Sequence, residues 1–88
     1  MRRLASLLAL AVLSSPALAD PTCASGPKEK WLSEDAMKQK IVALGYKYDV
    51  FKVTKGNCFE IYGRDKAGAR VEIYFNPLTG EVVNEFKN

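Results

Sequence analysis

The sequence predicts an α+β fold: one α-helix packed on a four-stranded antiparallel β-meander. Three observations carry this. Met37, Ile41 and Leu44 recur at helical spacing within a single stretch. After Gly45 the apolar residues alternate instead, in four short runs. The runs are joined by turn-rich segments too short for helical crossovers, so neighbouring strands must form antiparallel hairpins.

The folded domain does not begin at residue 1. Arg2 and Arg3 are followed by an almost unbroken Leu, Ala and Val run from Leu4 to Leu13. Ser14, Ser15 and Pro16 then lead to Ala17-Leu18-Ala19. This is the charged, apolar and small-x-small order of a secretory signal peptide, predicted to be cleaved between Ala19 and Asp20. A retained membrane anchor is the alternative, but the run falls short of the roughly 20 residues a span needs. A lipoprotein is disfavoured, because Asp20, Pro21 and Thr22 precede Cys23. The expected location is periplasmic or secreted, with no stable membrane insertion after cleavage.

Removing residues 1–19 from the 88 leaves 69, enough for one domain. Of 13 basic and 10 acidic residues the leader holds two basic ones, so the mature chain carries 11 against 10. No one-signed stripe remains to bind nucleic acid.

Residues 20–30 read as an extended N-terminal arm, and residues 31–88 as the α+β domain. Trp31 and Leu32 precede the helix, and Trp31 is expected to pack against Met37 or the sheet edge. Ser33 is a candidate N-cap, with Glu34 and Asp35 in the first turn, where the helix dipole favours carboxylates. Gly45 suits a left-handed C-cap, so the helix is expected over about 33–44. In the first strand Tyr46, Tyr48 and Val50 share one parity and Phe51 and Val53 the other, which predicts a bulge or bend at Val50-Phe51. Thr54–Asn57 is a turn, followed by a strand from Cys58 to Asp65. Lys66–Gly68 turns into a third strand, Ala69–Asn76, with Val71, Ile73 and Phe75 inward. Pro77–Gly80 turns into the last strand, Glu81–Phe86.

A core this small is marginal, and small secreted domains usually carry a covalent staple. Cys23 and Cys58 are the two cysteines, and export places them in an oxidising compartment. A Cys23–Cys58 disulfide is the expected pairing. Free thiols, a metal pair and intermolecular bridges are its rivals. A metal site would want more ligands, and the chain has no His.

Catalysis is not expected. Without His, no Ser-His or Cys-His pair can form. There is no phosphate-binding loop or dinucleotide turn, so no cofactor is expected. Glu60 and Glu72 should share the helix-free face, but an acid/base pair needs a cleft, and an open sheet supplies none. Asp65, Asn76 and Glu81 do not match a calcium loop.

The helix-free face is the candidate functional surface. Alternation places Glu60, Tyr62 and Arg64 on it from the second strand, and Arg70, Glu72 and Tyr74 from the third. Tyrosine and arginine are favoured at protein interfaces. The same residues also stabilise any half-exposed sheet through cross-strand pairs. Cys58 shares parity with Glu60 and Tyr62, so an arm tethered there has part of this face within reach.

Residues Gly45-Tyr46, Phe51-Lys52-Val53, Cys58–Asp65, Gly68 and Arg70–Val83 together resemble the PepSY domain family, above all its short exported members in proteobacteria. The most telling piece is the final hairpin: V-E-I-Y-F-N, the turn P-L-T-G, then E-V-V. Asn76 stands where many members have Asp. The resemblance spans about residues 31–86. It implies an inhibitory or regulatory role toward peptidases, or a broader extracytoplasmic protein-interaction role, with no catalytic residues to transfer. No peptidase domain follows in this sequence. The expected partner is an extracytoplasmic protein, a peptidase among the candidates. The alternative is a small-ligand- or ion-responsive periplasmic binding protein.

Overall fold

A computed structural model describes residues 20–23 and 26–87. The predicted signal peptide, residues 1–19, lies outside the described residues.

A short 3-10 turn, Lys28–Lys30, lies at the end of the arm. Helix α1 then runs Glu34–Ala43, one residue inside the expected limits at each end. Ser33 caps it as predicted, accepting a hydrogen bond from the Ala36 N–H at 3.0 Å. At the other end the Gly45 N–H donates to Val42 O and the Tyr46 N–H to Ile41 O. That is the paired closure of a Schellman motif, and Gly45 adopts the φ of 96° it requires.

Four strands follow: β1 (Lys47–Val53), β2 (Phe59–Arg64), β3 (Arg70–Phe75) and β4 (Val82–Lys87). They pair antiparallel in the order β1-β2-β3-β4, the meander expected from the short turns. The turns owe their shape to local polar side chains. Asp65 Oδ1 accepts from the N–H groups of Ala67 and Ala69, and Asn76 Oδ1 from that of Leu78. Thr54 Oγ1 accepts from the Cys58 N–H. These residues shape the hairpins.

Met37 and Ile41 drop from α1 onto Phe59, Ile61, Val71, Ile73 and Phe75 of β2 and β3. Trp31 joins this core edge-on to Phe59, with ring centroids 5.7 Å apart, and its indole N–H donates to Gly26 O at 3.3 Å. Leu44 departs from its expected place on the buried stripe and is 45% exposed. It is the C-cap residue, so the helix ends before that side chain can reach the sheet.

The bulge in β1 falls at Asp49, between Tyr48 and Val50, one residue earlier than the parity pattern indicated. It leaves Tyr48 and Phe51 packed against the core and turns Val50 to the other face. Gly63 opposes Tyr48 here, and a Cβ at this position would overlap the Lys47 carbonyl oxygen. A second irregularity lies between Tyr74 and Phe75, against β4.

Cys23 and Cys58 form a disulfide across a 35-residue separation. The Cys23 N–H also donates to Gly56 O at 2.9 Å, so the arm is held at the β1–β2 turn by a covalent bond and a hydrogen bond. Among the described residues no helix is long and apolar enough to cross a membrane.

Two outcomes follow from this architecture. A Cys23→Ser/Cys58→Ser double variant is expected to lose roughly 3–4 kcal/mol of unfolding free energy, from the closed-loop length. Gly63→Ala is expected to cost at least about 2 kcal/mol, because backbone must shift to admit the methyl. Urea titration of each variant against the oxidised parent measures both losses.

Candidate functional site: the outer sheet face

The strand register sorts the helix-free face into three rows. The first runs Lys52, Glu60, Tyr74, Asn84 across β1 to β4. The second runs Val50, Tyr62, Glu72, Phe86. The third runs Lys47, Arg64, Arg70 on the first three strands.

All six residues singled out from the sequence lie on this face, but they do not share one environment. The arm covers the middle of the first row: Glu60 is 1% exposed and Tyr74 is 3% exposed, while Lys52 and Asn84 at its ends stay exposed. The disulfide places Pro21 against Cys58, the residue before β2. The Tyr74 hydroxyl lies 3.0 Å from Asp20 Oδ1 and 2.7 Å from Glu72 Oε2, within hydrogen-bond reach of both carboxylates. Glu72 is half-buried, whereas Tyr62, Arg64 and Arg70 are exposed.

The second and third rows stay accessible. Val50, Tyr62 and Phe86 are 43%, 42% and 37% exposed, giving an apolar band around Glu72. Phe86 also packs edge-on against Tyr74 at 6.2 Å, and Lys52 stands over the Tyr62 ring at 5.4 Å. Beside this band Lys47, Arg64 and Arg70 form a basic row with no carboxylate of the described residues in ion-pair contact. Arg64 donates instead to Gly68 O at 3.0 Å. Val50, Phe86 and Lys47 were not among the sequence candidates. They become neighbours of Tyr62 and Arg64 only through the cross-strand register.

The covered row is electrostatically unusual. Glu60 Oε1 lies 3.6 Å from the Lys52 ammonium, while Glu60 Oε2 is buried with no hydrogen-bond partner among the described residues. Its near neighbour is another carboxylate, Glu72, which can accept a hydrogen bond but not donate one. Burial first, and the adjacent Glu72 second, push Glu60 up from 4.5 to about 6. The hydrogen bond that protonated Glu60 donates holds Glu72 below its usual value. Tyr74 is driven up by burial and by its carboxylate partners, and Tyr62 by the negative charge of Glu60. Two neighbouring carboxyls in a dry site share a proton rather than both ionising. Among the described residues no three acidic or cysteine side chains are placed to hold one metal ion.

The opposite face carries an open depression of about 360 Å³ beside the helix C-terminus, lined in part by Leu44, Tyr46, Asp65, Glu85 and Lys87. Its charged groups satisfy one another. Lys87 pairs with Asp65 at 3.2 Å, and the Tyr46 hydroxyl donates to Glu85 at 3.4 Å. The Ala69 N–H, ahead of the Lys87 ammonium, holds Asp65 below its usual value. These contacts close the β2–β3 turn against β4 and the start of β1.

Residues 3–85 match the family model described as "Peptidase propeptide and YPEB domain" (PepSY_2). No curated protein and no solved structure matches the chain.

The shared proton predicts a pH dependence with a definite sign. A carboxyl raised in the folded state stabilises fully below its unfolded value and loses that contribution as pH rises through the folded one. With residues upstream of Asp20 retained, the Glu60 contribution is therefore expected to vanish between about pH 4.5 and 7. The loss is on the order of 1–2 kcal/mol. Glu72, shifted the other way, acts only below about pH 4.5 and leaves this window alone. Urea midpoints measured across the window should fall in the parent and stay level in Glu60→Gln. An equal slope in both would contradict the shared-proton assignment.

Proposed function

The chain belongs to the PepSY family of peptidase-propeptide and YPEB domains, and from that premise we propose that it is a non-catalytic, exported module that binds an extracytoplasmic protein through its outer sheet face. The observation that carries this reading is the uncovered half of that face. There an apolar band of Val50, Tyr62 and Phe86 adjoins the basic row Lys47, Arg64 and Arg70. Aromatic and arginine side chains bury large areas at low entropic cost, and a charged border steers and orients a partner. A band of three exposed apolar side chains across four strands costs solubility unless something covers it.

The family description points to a peptidase as the partner class. Binding to such an enzyme in trans would be a bimolecular event. A small standard interface anchored on one tyrosine and one arginine would suit reversible regulation. The disulfide supports the extracytoplasmic location, since such bridges persist in oxidising compartments.

Capture from a periplasmic extract tests the proposal. The parent is expected to retain a partner that Tyr62→Ala/Arg70→Ala binds at least about tenfold more weakly, as loss of two anchor residues implies. Lys38→Ala, on the helix side, should bind like the parent. Equal capture by all three proteins, each folded by circular dichroism, would remove the outer face as the binding surface.

A further inference from the structure

We propose that the carboxylate pair of buried Glu60 and half-buried Glu72 is a docking site for an α-ammonium group, and that its occupant is the new N-terminus of this chain at Asp20, created by cleavage after Ala19. The proposal rests on that cleavage and is independent of any partner.

Geometry places the group. Asp20 Oδ1 lies 3.0 Å from the Tyr74 hydroxyl, which is 2.7 Å from Glu72 Oε2. Covalent geometry keeps the Asp20 nitrogen within about 5 Å of its own carboxylate oxygen. Three residues further on, Cys23 is bonded to Cys58, two residues before Glu60 of β2. The arm therefore cannot carry residue 20 far from the acidic pair.

Charge supplies the reason. The groups facing the site are Asp20 from the arm, Lys52 from β1, Glu60 and Tyr62 from β2, and Glu72 and Tyr74 from β3. β4 adds only Asn84 and Phe86, which carry no charge. Three carboxylates thus meet one ammonium, and that ammonium, Lys52, is 52% exposed. Glu60 Oε2 is left buried with no donor. A protonated α-amine offers three N–H donors and a full positive charge, the two things this site lacks. Before cleavage the Asp20 nitrogen is an amide with one N–H and no charge. A signal-processing peptidase adds water across the Ala19–Asp20 bond. The hydroxyl goes to the Ala19 carbonyl, and the amine leaves with the hydrogen and takes up a proton. Processing therefore converts a neutral donor into the missing cation. It would fasten the start of the arm by an ion pair as well as by the disulfide, and lower the pH at which Glu60 takes up a proton.

The experiment uses the exported, oxidised protein. Intact mass should give a chain beginning at Asp20. The α-amine, followed by NMR through a pH titration, should hold its proton at least about tenfold more tightly than a free terminus with its pKa near 8. A form acetylated at Asp20 should melt about 4–8 °C lower. Introducing Glu60→Gln/Glu72→Gln into both forms should erase that difference. A different first residue, an amine titrating near 8, or equal melting of the acetylated and free forms would each overturn the proposal. The titration uses the unaltered protein, so it decides the matter even if a variant misfolds.

Discussion

The disulfide between Cys23 and Cys58 is the constraint on which the rest of this small domain depends. One helix contributes only Met37 and Ile41 to the core, and β2 and β3, with Tyr48 and Phe51 of β1, cover it from one side. Chain entropy nearly cancels such a core's stabilisation. The bridge removes freedom from the unfolded chain, and it also lays the arm across one end of the sheet. That second effect shapes the surface. It buries Glu60 and Tyr74 beneath residues 20–23, while Tyr62, Arg64 and Arg70 stay in solvent.

One sheet face therefore serves two purposes. The end near the β1–β2 turn is a covered polar network, with Glu60, Glu72, Tyr74 and Asp20 within reach of one another. The other end is an apolar band with a basic border. A low dielectric makes the covered network sensitive to every proton and charge near it. The uncovered rows are exposed, and their energetics wait on what meets them. The proposed partner surface and the proposed terminus-docking site are thus separate consequences of the same covering.

The sequence was most legible where structure is local. Ser33 and Gly45 bracket the helix because capping needs only the neighbouring backbone. Asp65 and Asn76 shape their turns through hydrogen bonds two to four residues away. The inward set Val71, Ile73 and Phe75 follows from alternation in β3. Legibility ended where distant residues decide. Parity signals a bulge in β1 but cannot choose between Asp49 and its neighbours without the partner strand. Leu44 fits the helical period yet lies at the cap, where the helix has run out. Alternation puts Tyr74 and Tyr62 on one face, and the arm, anchored through a disulfide 35 residues apart in the chain, together with Phe86 of β4, separates the buried ring from the exposed one. Lys47, Val50 and Phe86 join the surface through register, which no single strand reveals.

The central claim is that the bridged arm shields one half of the face and leaves the other free. Site-resolved nitration of the tyrosines tests it most directly, in oxidised protein and after reduction under conditions that keep the fold. Tyr62 should react in both states, and Tyr74 should react only once the bridge is opened. Equal reaction of Tyr74 and Tyr62 in the oxidised protein would contradict the account.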